Sequence, residues 1–285
     1  MIESIIAGLV AGGGFAILGI CVVTLFRATG VLNFSQGAVG TTGAYVTFQL
    51  CDRDVPLFVA TLVGVLVAAT LGLLIGWLMS RWFSETGVAV RSAVTIAWLV
   101  LLLALGFRTF GSDPLVTPDL VPRKTFDVFN VVVTLGSVVA LVVAILVAVL
   151  VTAVLNRTRV GLQLRAISER SVTAELLGVN AAGLSAAVWA GTGAFAALAV
   201  LLVAPTVSPT FLTLSFLVVP AMAAGIVGGL SSLGLTVVGG LVIGALQGAG
   251  ASIAQVADYR DTAPLLVIVI SLLWARRKEA WDVAR

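Results

Sequence analysis

The sequence predicts an all-α fold, a polytopic transmembrane helical bundle of eight or nine spans, and three observations lead there. Hydrophobic residues fill 60% of the 285 positions and charged residues 10%, at a mean hydropathy of +1.18. Soluble domains carry about 25% charged residues, so one soluble core could not hide this much apolar side chain. Whole runs of roughly 18 residues or more are apolar, whereas a membrane β-barrel would alternate apolar and polar residues along strands of about ten. Finally, the 30 glycines suit helices that pack closely in lipid, where small residues let backbones approach. The whole chain, 1–285, is expected to form a single membrane domain.

At about 1.5 Å of rise per residue, roughly 20 residues cross the hydrocarbon core. The first apolar run, 5–26, ends at Arg27. Met1-Ile2-Glu3-Ser4 before it offers no positive n-region and no small-residue cleavage pattern, so a retained span is expected rather than a signal peptide. The second run, 34–50, begins after Asn33 and is interrupted by Ser35, Gln36 and several glycines, which predicts a weak span, a broken helix or a re-entrant piece. The third extends from Pro56 to the Arg81-Trp82 boundary, the fourth covers 88–107 and the fifth 128–155. Between the fourth and fifth, the loop 108–127 holds Pro114, Pro118 and Pro122 among Asp113, Asp119 and Asp127, a stiff irregular pattern. Three roles are open to that loop: cover of a pathway, contact with an external partner, or plain connection.

Next comes the segment 156–180, which cannot sit in hydrocarbon. It sets Arg157, Arg159, Arg165 and Arg170 against Glu169 and Glu175, with Leu164, Ile167, Val172, Leu176 and Leu177 between them. Such a segment belongs in water, on the membrane surface or against a partner's groove. The runs 184–204, 211–228, 233–256 and 263–275 complete nine spans. The last is short, but Trp274 and the basic tail behind it make an interfacial end.

Lys and Arg in the short loops set orientation. With Arg276, Arg277, Lys278 and Arg285 in the cytoplasm, nine spans place the N-terminus outside and 11 of the 16 Lys and Arg inside. Arg53, Arg108, Arg123, Lys124 and Arg260 remain outside. Omitting the 34–50 run gives eight spans, moves the N-terminus inside and leaves Arg27 and Arg53 badly placed.

There is no histidine, and the cysteines are Cys21 and Cys51, which removes the usual zinc, haem and His-based catalytic arrangements. Cys21, within an apolar run, reads as a small buried hydrophobe. Mid-span Asp, Glu, Lys and Arg are missing, which speaks against a membrane enzyme and a proton-coupled carrier, though not against sodium coupling through carbonyls. No Gly-rich Walker motif with a lysine occurs, so any ATP would be bound by another chain. No cofactor and no nucleic-acid partner are expected.

Two polar constellations remain. Asn33, Ser35 and Gln36 open the weak second run, either lining a polar path at a broken helix or capping a helix at the interface. In the last third, Gly240 and Gly244 form a small-xxx-small pair, and Gln247 and Gln255 are the large polar groups of that run, facing a cavity or serving as helix–helix glue.

These residues carry a resemblance. Gly161, Leu164, Arg165, Ala166 and Glu169, followed by Ala174, Leu176, Leu177, Gly178 and Val179, resemble the cytoplasmic coupling region of the branched-chain amino acid permease family. That family reads Gly-Arg-Ala-Leu-Arg-Ala, and Leu162 stands here for its first Arg. Asn33-Phe34-Ser35-Gln36-Gly37 is similar to its Asn-Phe-Ala/Ser-His/Gln-Gly motif, with Ala38 where an acid often follows. Gly228-Gly229 with Ser231-Ser232, and Gly239-Gly240 with Gly244, match its later glycine signals. The likeness covers about 5–275.

What this resemblance implies is a multi-pass inner (plasma) membrane subunit of an ATP-driven importer, without an enzymatic site. Two such permeases, identical or not, would form the pore on two cytoplasmic ATP-binding subunits, with an extracytoplasmic binding protein delivering substrate. A cytoplasmic coupling helix over 157–179 would then carry the coupling through Gly161, Leu164, Arg165, Glu169, Leu176, Leu177, Gly178 and Val179, and the path would fall to Asn33, Ser35, Gln36 and Gln247. Branched-chain amino acids or related small polar solutes would be the cargo. The competing class is a self-contained, ion-coupled secondary transporter. A cysteine placed at position 170 is expected to react with an impermeant maleimide only from the cytoplasmic side, and labelling from outside would overturn the orientation.

Overall fold

The computed structural model describes residues 2–283 except 84–85, 116, 119–123, 129–130, 170, 254 and 256. The first helix, α1 (Ile2–Thr29), is followed by α2 (Gln36–Asp52), α3 (Leu57–Trp82) and α4 (Val88–Phe110). A hairpin of β1 (Thr125–Val128) and β2 (Val131–Thr134) leads into α5 (Leu135–Arg157) and the short α6 (Arg159–Glu169) and α7 (Ser171–Leu176). Then come α8 (Ala181–Val203), α9 (Phe211–Ser215), α10 (Val218–Val227), α11 (Leu233–Ala251) and α12 (Ala263–Val283).

Helix α1 is apolar all round, and such a helix is stable only when enclosed. It packs against α5, α8, α10 and α11, with Phe15, Ile17, Leu18, Ile20, Val23 and Leu25 buried. Glycine decides how close its neighbours come. Gly8 and Gly12 lie on the α11 backbone at Gly244, Gly248, Gly240 and Leu241, and a methyl on Gly240 would stand 2.6 Å from the Ala16 nitrogen. The Gly240–Gly244 pair is thus a helix-packing surface. On the other side, Gly40 rests on Ala196 of α8, Gly43 on Gly64 of α3, and Gly72 on Trp189. Those contacts enclose α2 between α3 and α8.

The expected eight or nine spans are not all helices of spanning length and composition. Among the described residues six helices qualify: Ser4–Thr29, Leu57–Trp82, Val88–Phe110, Val138–Arg157, Ala181–Thr206 and Leu233–Ala251. The second run forms one continuous helix, α2, but of 17 residues, and it is sheltered by protein on most sides. The 211–228 run breaks at Phe216 and Leu217 into α9 and α10. Helix α12 carries Arg276, Arg277, Lys278 and Glu279 in its second half, too many charges for a buried span. The fifth run starts as a strand: Thr125 pairs with Thr134 and Val128 with Val131, because the β-branched stretch Val131–Thr134 suits a pleated ribbon, and helix begins only at Leu135. Likewise no single coupling helix is identified among the described residues of the 156–180 segment. Its described residues form α6 and α7 on either side of position 170, which lies outside the described residues, and a Schellman turn ends it, with Val179 N–H donating to Ala174 O (3.1 Å) and Gly178 at φ +84°.

Arginine gathers at one end of the bundle. Arg27 Nη1 donates to Ser231 O in the α10–α11 turn (3.1 Å), and Arg91 Nη1 of α4 donates to Thr29 O at the close of α1 (2.9 Å). Both cations sit where helix dipoles and free carbonyls favour them. At the opposite end Tyr45, Phe48, Phe110 and Phe211 form an aromatic cluster, and Tyr45 Oη donates to Pro209 O (2.7 Å). Replacing Gly244 with Ala is expected to destabilise the detergent-solubilised protein by about 1–3 kcal/mol through overpacking. Gly234→Ala, on open space, is expected to leave thermal unfolding unchanged.

Candidate functional site

Gly30, at φ +67°, turns the chain out of α1 and into a short polar junction before α2. Asn33 Oδ1 accepts from Ser35 N (3.0 Å) and Ser35 Oγ (2.7 Å), while Asn33 Nδ2 donates to Gln36 Oε1 (2.7 Å). Gln36 Nε2 then donates to Thr192 O on α8 (2.8 Å). Thr95 Oγ1 of α4 accepts from Phe34 N (3.0 Å) and lies 3.0 Å from Leu32 O. Asn33, Ser35, Gln36 and Thr95 are all buried. Buried polar groups of this kind must bond one another, and here they tie the α1–α2 connection to α4 and α8. Ser35 occupies the N-cap position of α2 without making a capping bond. Gln247 lies apart, half-buried on α11.

Beside this junction is an apolar cavity of about 240 Å³. Its floor is Ile20, Cys21 and Thr24 of α1, and its walls come from α5 and α8, with Val160 and Leu164 of α6 at one end. Thr192, whose carbonyl receives Gln36, lines it too; Asn33, Ser35, Gln36 and Gln247 do not. Thr24, Thr95 and Thr192 went unnoticed in the sequence, because a threonine within an apolar run has no pattern of its own.

The charged segment is anchored by its own residues. Gly161 lies so close to the Leu155 backbone that a Cβ there would collide with it. Arg165 Nη2 donates to Leu155 O (3.2 Å) and its Nε to Gly161 O (3.4 Å), closing the end of α5. Leu164 turns inward at 3% exposure. Glu169 is the last residue of α6. Leu176 and Leu177 point the other way, 83% and 79% exposed, just before Gly178 and the half-buried Val179. Asn180 Oδ1 accepts from Gly183 N (2.9 Å) and so starts α8, as its residue type predicts. Gln36→Leu strands the Asn33 amide and the Thr192 carbonyl. It is expected to lower stability by about 1–3 kcal/mol, while Thr42→Val, which loses only a hydroxyl bonded to its own helix, is expected to stay within about 1 kcal/mol.

Comparison with known proteins joins these features. The family described as "Branched-chain amino acid transport system / permease component" matches residues 4–272. The permease protein BraD of a high-affinity branched-chain amino acid transport system, from Pseudomonas aeruginosa, is 23% identical over 96% of this chain and 93% of its own. LivH, the equivalent high-affinity permease protein of Escherichia coli, is 24% identical over 95% and 92%. The fructose import permease protein FruG of Bifidobacterium longum is 28% identical over 55% of this chain and 46% of its own. With the helical bundle and its apolar spans, this makes the chain a multi-pass transport permease subunit and not an enzyme. It belongs to the family of branched-chain amino acid transport system permease components.

Proposed function

We propose that this chain forms half of the translocation path of an ATP-driven importer of branched-chain amino acids or related small polar solutes. A second permease, identical or not, supplies the other half. Two cytoplasmic ATP-binding subunits drive it, and an extracytoplasmic binding protein loads it. Family membership supports that assembly, and the arginine-rich end supports a cytoplasmic position for α6 and α7, with the N-terminus outside and the C-terminus inside. Because the substrates named for BraD and LivH are branched-chain amino acids and that for FruG is fructose, the cargo follows the two relatives matched over nearly their whole length.

The observation that carries the coupling reading is the pair Leu176 and Leu177. Two adjacent leucines, 83% and 79% exposed and the most exposed apolar side chains of the described charged segment, project from its end, whereas Leu164 is buried. They are the apolar plug for a groove on the ATP-binding subunit, in the helix-in-groove manner. Arg165 and Gly161 hold α6 to the end of α5, so a push on the plug is passed to α5 and α1 rather than absorbed by a loose loop. Glu169 remains a candidate polar contact. For Asn33, Ser35 and Gln36 the saturated hydrogen bonds favour a fixed pivot beside the path over direct contact with solute, and Gln247 is kept as a path residue. A self-contained ion-coupled carrier is the competing reading.

Leu176→Asp with Leu177→Asp is expected to weaken association with the ATP-binding subunits about 30-fold, the loss of roughly 2 kcal/mol typical of an interface hot spot. Coupled uptake in proteoliposomes should vanish while the permease stays folded, since neither side chain is packed. Normal coupled uptake would remove the plug from the mechanism, and uptake by the purified chain alone down an ion gradient would establish the competing reading.

A further inference from the structure

We propose that the groove between α5 and α8 holds one anionic phospholipid, an acyl chain along the groove and the phosphate on Arg157 and Arg159. Both helices pack on α1, yet between them lies the cavity of about 240 Å³, floored by Ile20, Cys21 and Thr24. Its mouth is open to the outside of the chain: Leu150, Val154, Val160 and Ala187 line it and are exposed. An apolar cavity of about 150 Å³ accepts benzene, so this one has room for a longer aliphatic segment. Gly191, where an added Cβ would meet nothing within 4 Å, keeps the α8 wall open.

Two further observations select an amphiphile over a plain hydrocarbon. Thr24 lines the cavity at 8% exposure, and its Oγ1 has no hydrogen-bond partner. It stands three residues before Arg27, about 4.5 Å along the helix axis, which is the depth at which hydrocarbon gives way to ester and headgroup. A lipid ester carbonyl is the acceptor that depth supplies. Arg157 and Arg159, both exposed, lie in the chain between Val154 and Val160, which line the cavity, and neither takes part in an ion pair among the described residues. Arg165, by contrast, is occupied with backbone carbonyls. Unpaired cations over an apolar slot with an orphan hydroxyl match the phosphate, ester and chain of an anionic lipid, in that order. A bound chain would touch Val160 and Leu164, so occupancy bears directly on the position of α6.

The site goes beyond the transport reading, and its test does not use transport. The full-length protein, with whatever subunits it retains, is purified from nanodiscs of phosphatidylcholine with and without phosphatidylglycerol. Retained lipid is then counted by mass spectrometry. Wild type is expected to hold about one phosphatidylglycerol per chain and to gain thermal stability from it. Arg157→Gln and Arg159→Gln, on exposed side chains, should each lower phosphatidylglycerol retention about fivefold, leaving phosphatidylcholine unchanged. Gly191→Phe should abolish retention by filling the groove, and Thr24→Val gives a milder loss should the larger side chain disturb folding. Equal retention of the two lipids by wild type and the arginine variants would overturn the site. So would a cysteine at position 187 that cross-links to a second permease chain instead of reacting with a lipid-soluble maleimide.

Discussion

Everything in this bundle rests on how closely backbones approach along α1. Lipid tails are as apolar as leucine, so burying leucine against another helix yields little in a bilayer, and dispersion between closely packed surfaces has to hold the helices together. Gly8 and Gly12 of α1, facing Gly240, Gly244 and Gly248 of α11, bring two backbones into direct contact over about two turns. Repeated between α2, α3 and α8 at Gly40, Gly43, Gly64 and Gly72, the same device makes an interior tight enough to enclose a helix of only 17 residues. Side chains larger than hydrogen at these positions would push the helices apart.

That enclosure explains the polar junction at the start of α2. Asn33, Ser35 and Gln36 would be expensive in hydrocarbon, yet protein on all sides lets each find a partner. Their bonds run from the α1–α2 turn to the Thr192 carbonyl, while Thr95 holds the same turn from α4. Four elements thus meet at one cluster of short hydrogen bonds near the arginine-rich end. A cluster of this sort has discrete bonded arrangements rather than a continuous range, which is the property the proposed pivot role asks of it.

The charged segment divides its labour by residue. Gly161 and Leu164 face the bundle and the exposed Arg165 bonds the end of α5, whereas Leu176 and Leu177 face outward within a Schellman turn. An anchored base with a projecting tip suits a lever. The cavity under α6 lies where any shift of that lever would change its volume, since Val160 and Leu164 are part of its wall.

Much of this was legible in the chain itself. Composition alone required a multi-pass helical protein, because no soluble core hides so much apolar surface. Helix ends at Arg27, Arg81-Trp82 and Asn180 followed from local chemistry: charge against a dipole, an aromatic at an interface, an amide capping free N–H groups. Tertiary structure alone decided that α2 is wrapped in protein, that the 211–228 run breaks in two, and that Arg165 bonds the carbonyl at the end of α5. Hydropathy measures a preference for apolar surroundings and cannot tell lipid from a neighbouring helix. A glycine likewise announces that something comes close without naming what. Which polar atoms meet, and which hydroxyl is left over a cavity, depends on residues far apart in sequence, such as Gln36 and Thr192, whose meeting no local pattern encodes.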